Sequence, residues 1–134
     1  MIKAVIIGFA HMHVNEIALY MSEQPDFKLI AVADVNAGTE KIPDLRYTQG
    51  WNLKNVKENY CDNVYEDYKK MLDEEKPDIA FIMCENCMKP EIVEECAKRG
   101  INVSIEKPIA VSLEEAKKIQ ASVKKYGIEA VVNW

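Results

Sequence analysis

A three-layer, doubly wound α/β fold in a single domain is predicted by three features of this 134-residue sequence. Short apolar runs recur along the chain. Most are continuous in hydrophobicity rather than alternating. Amphipathic helical stripes sit between them. Continuous apolar strands are those buried on both faces, as in a parallel sheet. Parallel neighbours need crossovers, and right-handed helical crossovers cover both faces of such a sheet. A chain of this length forms one domain with a sizeable core.

The elements follow in order. Ile-Lys-Ala-Val-Ile-Ile over Ile2–Ile7 reads as the first strand. Val14, Ile17, Ala18 and Met21 then share one helix face. Phe27–Ala33 reads as the second strand. Residues 35–62 hold Gly38, Pro43 and Gly50 and show no clean period. A strand near residues 57–60 is expected there because a doubly wound sheet would place one. Val64, Tyr68, Met71 and Leu72 make the next helical stripe, with Asn63 and Glu66 spaced as a capping box. Further strands are expected over residues 79–83, 101–105 and 128–132. Between them, Pro90 suits a first helical turn, and Ile92, Val93, Cys96 and Ala97 form an apolar stripe that Gly100 ends. Ser112 and Glu115 form a second capping box ahead of Ala116, Ile119 and Val123, and Gly127 closes that helix.

Composition narrows the function classes. The chain is 49% hydrophobic and 29% charged, which excludes disorder or a fibrous repeat as the main state. Lys and Arg number 17 against 22 Asp and Glu, a net charge of −5 that argues against nucleic acid or an anionic membrane as partner. No apolar run reaches the roughly 18 residues of a membrane span. The apolar start lacks the basic region and cleavage site of a secretory signal. Cys61, Cys84, Cys87 and Cys96 are therefore expected as reduced thiols in a cytoplasmic protein.

The first strand runs into Gly8-Phe9-Ala10-His11-Met12-His13, with a helix to follow. A dinucleotide-binding turn occupies that place. Gly8 permits the tight turn, Ala10 lets the backbone approach a pyrophosphate, and the helix N-terminus supplies N–H donors. Only the first glycine of G-x-G-x-x-G is present, so a bare strand-to-helix turn remains an equal reading of these residues alone. Asp34 closes the second strand 21 positions beyond His13. An acidic residue about 20 positions on hydrogen-bonds the ribose hydroxyls of NAD; an Asp at a strand end also serves simply as a turn residue. Val35 and Asn36 follow it, with no Arg to meet a 2′-phosphate, which favours NAD over NADP. Glu106-Lys107-Pro108 follows a later strand, at the end of the sheet where ligands bind. Lys107 there could donate a proton to a substrate oxygen, and Pro108 could fix the loop through a cis bond. By composition alone, the same tripeptide is a polar loop.

These residues resemble the N-terminal, Rossmann-like domain of the glucose–fructose oxidoreductase and inositol dehydrogenase (Gfo/Idh/MocA) family. The similarity lies in residues 2–8, in Ala31-Val32-Ala33-Asp34, in Tyr65-Glu66-Asp67-Tyr68-Lys69-Lys70-Met71-Leu72 and in Pro77-Asp78-Ile79-Ala80. It continues in Glu85-Asn86 and in Gly100-Ile101-Asn102-Val103 running into Glu106-Lys107-Pro108. The resemblance implies an NAD-dependent oxidoreductase acting on a sugar, cyclitol or similar small polyol. It implies a pyrophosphate turn lined by Gly8, Phe9, Ala10, His11 and His13, and an adenosine ribose held by Asp34. Cys84, Glu85 and Asn86 would lie beside the cofactor. Glu106 and Lys107 would lie near the nicotinamide, with Lys107 as the substrate-contacting catalytic lysine. Three departures stand out. Ala10 and His13 replace glycines, and Lys89 stands where the family commonly has His. The family's second, substrate-binding domain, which commonly also forms the subunit interface, would lie beyond these 134 residues.

Other readings compete. Cys84-Glu85-Asn86-Cys87 has the spacing of a redox motif, but it follows a late strand rather than an early one. His11, His13, Cys84 and Cys87 make a zinc-like ligand set whose spacing matches no common zinc module, so no metal site is expected. The alternative to an oxidoreductase domain is a self-standing α/β module that binds a nucleotide or a protein without turnover.

Overall fold

Six strands form one sheet in which every neighbouring pair is parallel. The structure, a computed structural model, describes residues 1–35 and 45–133. Asn36, Gly38, Pro43 and Trp134 lie outside the described residues. In chain order the elements are β1 (Ile2–Ile7), α1 (Val14–Glu23), β2 (Phe27–Ala33), α2 (Gln49–Asn59), β3 (Val64–Tyr65) and α3 (Tyr68–Glu75). They continue with β4 (Ile79–Ile82), α4 (Lys89–Lys98), β5 (Asn102–Glu106), α5 (Leu113–Tyr126) and β6 (Ala130–Asn133). The strand order is β3-β2-β1-β4-β5-β6. The chain therefore reverses its direction of travel across the sheet between β1 and β4. That reversal opens a crevice outside the carboxyl ends of these two strands.

Each face of the sheet is covered by its own helices, so there are three layers. On one face Ala4, Ile6 and Val32 pack with Val14, Ala18 and Met21 of α1 and Val56 of α2. On the other, Val5, Ile7, Ala80, Ile82 and Ile105 pack with Met71 and Leu72 of α3, Ile92 and Val93 of α4, and Ile119 of α5. Alternate residues of β1 thus serve opposite layers, and residues 4–7 are fully buried. This is the physical reason the strand reads as continuously apolar.

Several boundary signals act as their chemistry dictates. Pro90 lies in the first turn of α4. Ser112 accepts a hydrogen bond from Glu115 N–H at 3.2 Å, and Gly127 ends α5 at φ +68°. Two expectations are corrected. Residues 57–60 are not a strand; residues 57–59 form the last turn of α2, capped at its start by Thr48. The helix is mostly polar and its stripe is short, because it buries Asn52 along with Val56. The expected capping box at Asn63 and Glu66 is also absent. Asp67 caps α3, accepting from the Lys69 and Lys70 N–H groups, while Val64 and Tyr65 pair beside β2. Asn63 is instead a bridge, donating to Ile30 O and to Glu75.

Fully buried Asn52 fastens α2 to the loop after β1. Its Nδ2 donates to Phe9 O at 3.0 Å, and its Oδ1 accepts from Asn15 Nδ2 at 2.8 Å. Asn15 Oδ1 in turn accepts from Asn55 Nδ2 at 2.8 Å.

Two expected outcomes follow from this packing. Asn52→Ala leaves buried polar groups unsatisfied and lowers stability by about 1–3 kcal/mol, measured by urea unfolding. Burial pushes the thiols of Cys84 and Cys96 up to about 12, against 9.0 for an ordinary thiol. Above about pH 9 the unfolded chain loses thiol protons that the folded chain keeps, so stability falls as pH rises toward 12. Urea midpoints at about pH 8 and about pH 10.5 check this, with a smaller fall expected in a Cys84→Ala/Cys96→Ala variant.

Candidate functional site

The site begins with a close approach of two backbones. Gly8 sits at φ +86°, and a Cβ there would lie 2.6 Å from both Cα and Cβ of Cys84. Only glycine fits, in conformation and in space. Gly8 N–H donates to Ala33 O at 2.9 Å and Ala10 N–H to Met83 O at 3.1 Å. The turn is thereby stitched to the ends of β2 and β4. The Phe9 side chain is fully buried in the α1 layer, so this residue meets the crevice with backbone alone. Helix α1 then starts at Val14, and no side chain caps it.

Asp34 stands at the end of β2, 4% exposed, with Gln49 Nε2 at 3.5 Å from Oδ1. Its N–H donates to Tyr65 O at 2.8 Å, which fixes the end of the strand.

A denser cluster surrounds the end of β5. Glu106 is 1% exposed, and His13 Nδ1 lies 3.2 Å from each of its carboxylate oxygens. His11 Nδ1 is 3.8 Å from Glu106 Oε1, while His11 Nε2 is 3.1 Å from Lys107 Nζ. Burial pushes His11 below the usual imidazole value; His13, Lys107 and Lys89 add to the drop and Glu106 opposes it. The ring is therefore neutral at pH 7. A neutral ring accepts at one nitrogen only. His11 Nδ1 also lies 3.3 Å from the His13 N–H donor, so Nδ1 and Nε2 each face a donor and the ring accepts from only one of them.

Beneath this cluster, Lys89 is 1% exposed, with Nζ donating to Asn86 Oδ1 at 2.8 Å, Glu106 O at 2.5 Å and Pro108 O at 2.6 Å. All three ammonium protons have acceptors, which is what lets a lysine be buried. Burial pulls its pKa below the usual lysine value. Two of these acceptors flank Lys107, so Lys89 clamps the backbone that carries it. The Lys107–Pro108 peptide is cis. An open cavity of about 210 Å³ lies between Ala10 and His11 on one side and Asn86, Lys89 and Lys107 on the other.

The structure thus gathers Gly8, Ala10, His11, His13, Cys84, Asn86, Glu106 and Lys107 at the carboxyl ends of β1, β4 and β5. Asp34 lies apart, at the end of β2. Half-buried Glu85 precedes a 3₁₀ turn over Asn86–Met88, on which Cys87 is exposed. Cys84 is packed beneath Gly8, and its buried thiol keeps its proton, which is not the state of a reactive cysteine. Two residues of the site were not legible as such. Lys89 stands out in the sequence only as a departure from a motif, since a buried lysine has no local signature. Asn52 lies in a polar helix whose period gives no warning of a buried amide.

A family model described as the oxidoreductase family with an NAD-binding Rossmann fold matches residues 2–133. The chain belongs to the Gfo/Idh/MocA family. Among curated proteins, the oxidoreductase YrbE of Bacillus subtilis is 24% identical over 123 residues, covering 92% of this chain and 31% of YrbE. Among solved structures, an oxidoreductase from Agrobacterium radiobacter in complex with NAD+, L-tartaric acid and magnesium superposes with a TM-score of 0.79 at 20% identity. That match covers 98% of this chain and 35% of the other. Myo-inositol 2-dehydrogenase from Lactobacillus plantarum gives 0.75 at 21% identity, over 98% and 36%. The WlbA dehydrogenase from Chromobacterium violaceum, in complex with NADH and UDP-GlcNAcA, gives 0.79 at 20% identity, over 98% and 34%. The chain spans about a third of the length of these relatives. No helix among the described residues is long and apolar enough to cross a membrane.

The Gfo/Idh/MocA domain offers two direct checks. Gly8→Ala, combining a positive φ with a backbone overlap, is expected to cost at least about 2 kcal/mol of unfolding free energy. Of the four free cysteines, Cys87 alone is exposed, so an aromatic disulfide reagent near neutral pH should modify one thiol in the native protein and four after unfolding. Fast reaction of a second native thiol would contradict the burial of Cys84.

Proposed function

We propose that this chain carries the nicotinamide dinucleotide of an oxidoreductase that moves a hydride to or from a carbon of a sugar, cyclitol or similar small polyol. The observation that carries the reading is Gly8 pressed against Cys84 where the strand order reverses, with Asp34 at the end of the neighbouring strand. In that arrangement the backbone from Gly8 to His13 and the start of α1 receive a pyrophosphate. Asp34 accepts hydrogen bonds from ribose hydroxyls, and its charge repels a 2′-phosphate, which favours NAD over NADP. Asn86, Glu106 and Lys107 border the cavity on the side where a nicotinamide would lie. The residues fit the group, with two departures: the Ala10 methyl and the His13 ring stand where glycines would give a closer backbone approach. Binding is accordingly expected to be weaker than with the full glycine pattern.

The bound nicotinamide supplies the hydride chemistry. The chain's own contribution is at Lys107 Nζ, which gives a proton to a carbonyl oxygen in reduction or takes one from a hydroxyl in oxidation. His11 holds that ammonium through Nε2, and Lys89 holds the backbone on both sides of it. A single lysine cannot orient a substrate. Positioning is worth roughly 7–11 kcal/mol of a barrier, and the rest of it falls to a second domain, as the relatives' greater length suggests.

Calorimetric titration with NADH, NADPH and AMP tests the cofactor reading. NADH should bind more tightly than NADPH, and absence of heat with all three in folded protein would refute it. Asp34→Ala should weaken NADH by about 10- to 100-fold and NADPH by less, the loss of about 1.5–3 kcal/mol expected for a charged hydrogen bond. Residues 1–134 alone should show no NADH turnover with polyols or their keto forms, followed by absorbance. Turnover abolished by Lys107→Ala would make the single domain a complete enzyme.

A further inference from the structure

From the geometry at the end of β5 we propose that His11, His13 and Glu106 form a binding site for a divalent transition-metal ion of the zinc class, with one coordination position open to an oxygen ligand. Among the described residues, these three side chains bring one ligand atom each to within 4.8 Å of the others. Glu106 Oε1 lies 3.2 Å from His13 Nδ1 and 3.8 Å from His11 Nδ1. Ligands about 2.0–2.1 Å from a tetrahedral ion stand about 3.3 Å apart, so rotations of the two rings close the set around an ion. Two imidazoles and one carboxylate with an open position are a ligand set that zinc uses in catalytic sites.

Two features make the cluster more than a chance meeting. The first is the carboxylate. Glu106 is 1% exposed, and its nearest ammonium, on Lys107, is 3.9 Å away and lies within hydrogen-bond distance of His11. A buried charge calls for a close, strong counter-charge, and an ion at this point provides one. The second is rigidity. Glu106 ends a central strand, and its carbonyl is held by Lys89. The histidines ride on a turn fixed at Gly8, Ala10 and Phe9 O. The backbone that carries the ligands is therefore already in place before an ion arrives, and only the two rings and the Lys107 side chain must turn. The cavity beside His11 and Glu106 gives a fourth ligand, water or a substrate oxygen, a way in.

The sequence pointed to no metal site; the zinc-like set weighed there and set aside joined Cys84 and Cys87 to the two histidines. The structure separates them: Cys84 is packed under Gly8 and Cys87 is exposed on the 3₁₀ turn. Glu106 takes their place. Ligation through His11 Nδ1 displaces the 3.3 Å contact from His13 N–H and puts the ring proton on Nε2, so the Lys107 ammonium must leave it. The Lys107 side chain is 40% exposed and can turn to solvent. Metal occupancy and the His11–Lys107 contact are thus exclusive.

The proposal does not rest on the cofactor reading, and its test is separate. The protein, stripped with a chelator, is titrated with Zn²⁺ by calorimetry and with Co²⁺ by visible absorption. One equivalent of Zn²⁺ should bind, and Co²⁺ should give the intense d–d bands of a four-coordinate site. Second-shell changes cost about 10- to 100-fold in metal affinity, so loss of a ligand in Glu106→Gln or His13→Gly should cost at least about 100-fold. The His13 side chain is 30% exposed, so His13→Gly keeps the test alive if Glu106→Gln does not fold. No bound Zn²⁺, affinity unchanged in folded His13→Gly, or loss only in Cys87→Ser would each overturn the site. NADH titration of the same samples is scored independently: metal without dinucleotide refutes only the cofactor reading, and dinucleotide without metal refutes only this one.

Discussion

The absence of any side chain between Gly8 and Cys84 is the constraint from which the site is built. At 2.6 Å from a hypothetical Cβ to the Cys84 backbone, the loops after β1 and β4 touch. That contact sets where the chain can leave β1, and hence where α1 starts. It also fixes the mouth of the crevice at the reversal of strand order. Phe9, turned into the core, and Asn52, holding the Phe9 carbonyl, keep the same loop from lifting away. The loop is thus held from several sides where a ligand would lie, and catalytic geometry needs such stiffness.

Around this frame the charges are arranged against the usual preference for solvent. Lys89 and Glu106 are both buried at the end of β5, yet they do not form a salt bridge through their side chains. The ammonium is spent on carbonyl oxygens and an amide, and the carboxylate faces imidazoles. Each charge therefore does its own task, one holding the loop and the other facing the cavity. Lys107 lies between these two arrangements, its backbone set by Lys89 and its ammonium by His11.

The strand pattern made the fold largely legible, because burial on both faces leaves a continuous apolar trace and the helix caps at Ser112 and Gly127 act locally. What was not legible had a tertiary cause. Helix α2 is held through Asn52, a polar residue satisfied by Phe9, Tyr47 and Asn15, so its stripe resembles a loop. The stripe of α3 extended into Val64 because β3 is only a two-residue strand that, among the described residues, pairs with β2 alone. For the candidate site, the glycine turn, Asp34 and the Glu-Lys-Pro loop could be picked out as candidates by order along the chain. The meeting of His11 and His13 with Glu106 could not, because sheet topology joins positions far apart in the chain, 93 residues for His13 and Glu106.

The amide chain from Asn55 through Asn15 to Asn52 also bears on uniqueness. Apolar helix faces tolerate small slides and rotations, since one methyl group replaces another at little loss. Amides do not, because a shift of α2 along α1 would strand the fully buried Asn52 amide away from its partners. The three asparagines therefore act as a registration mark. They favour a single alignment of the two helices, and through Phe9 O they transmit that alignment to the loop after β1.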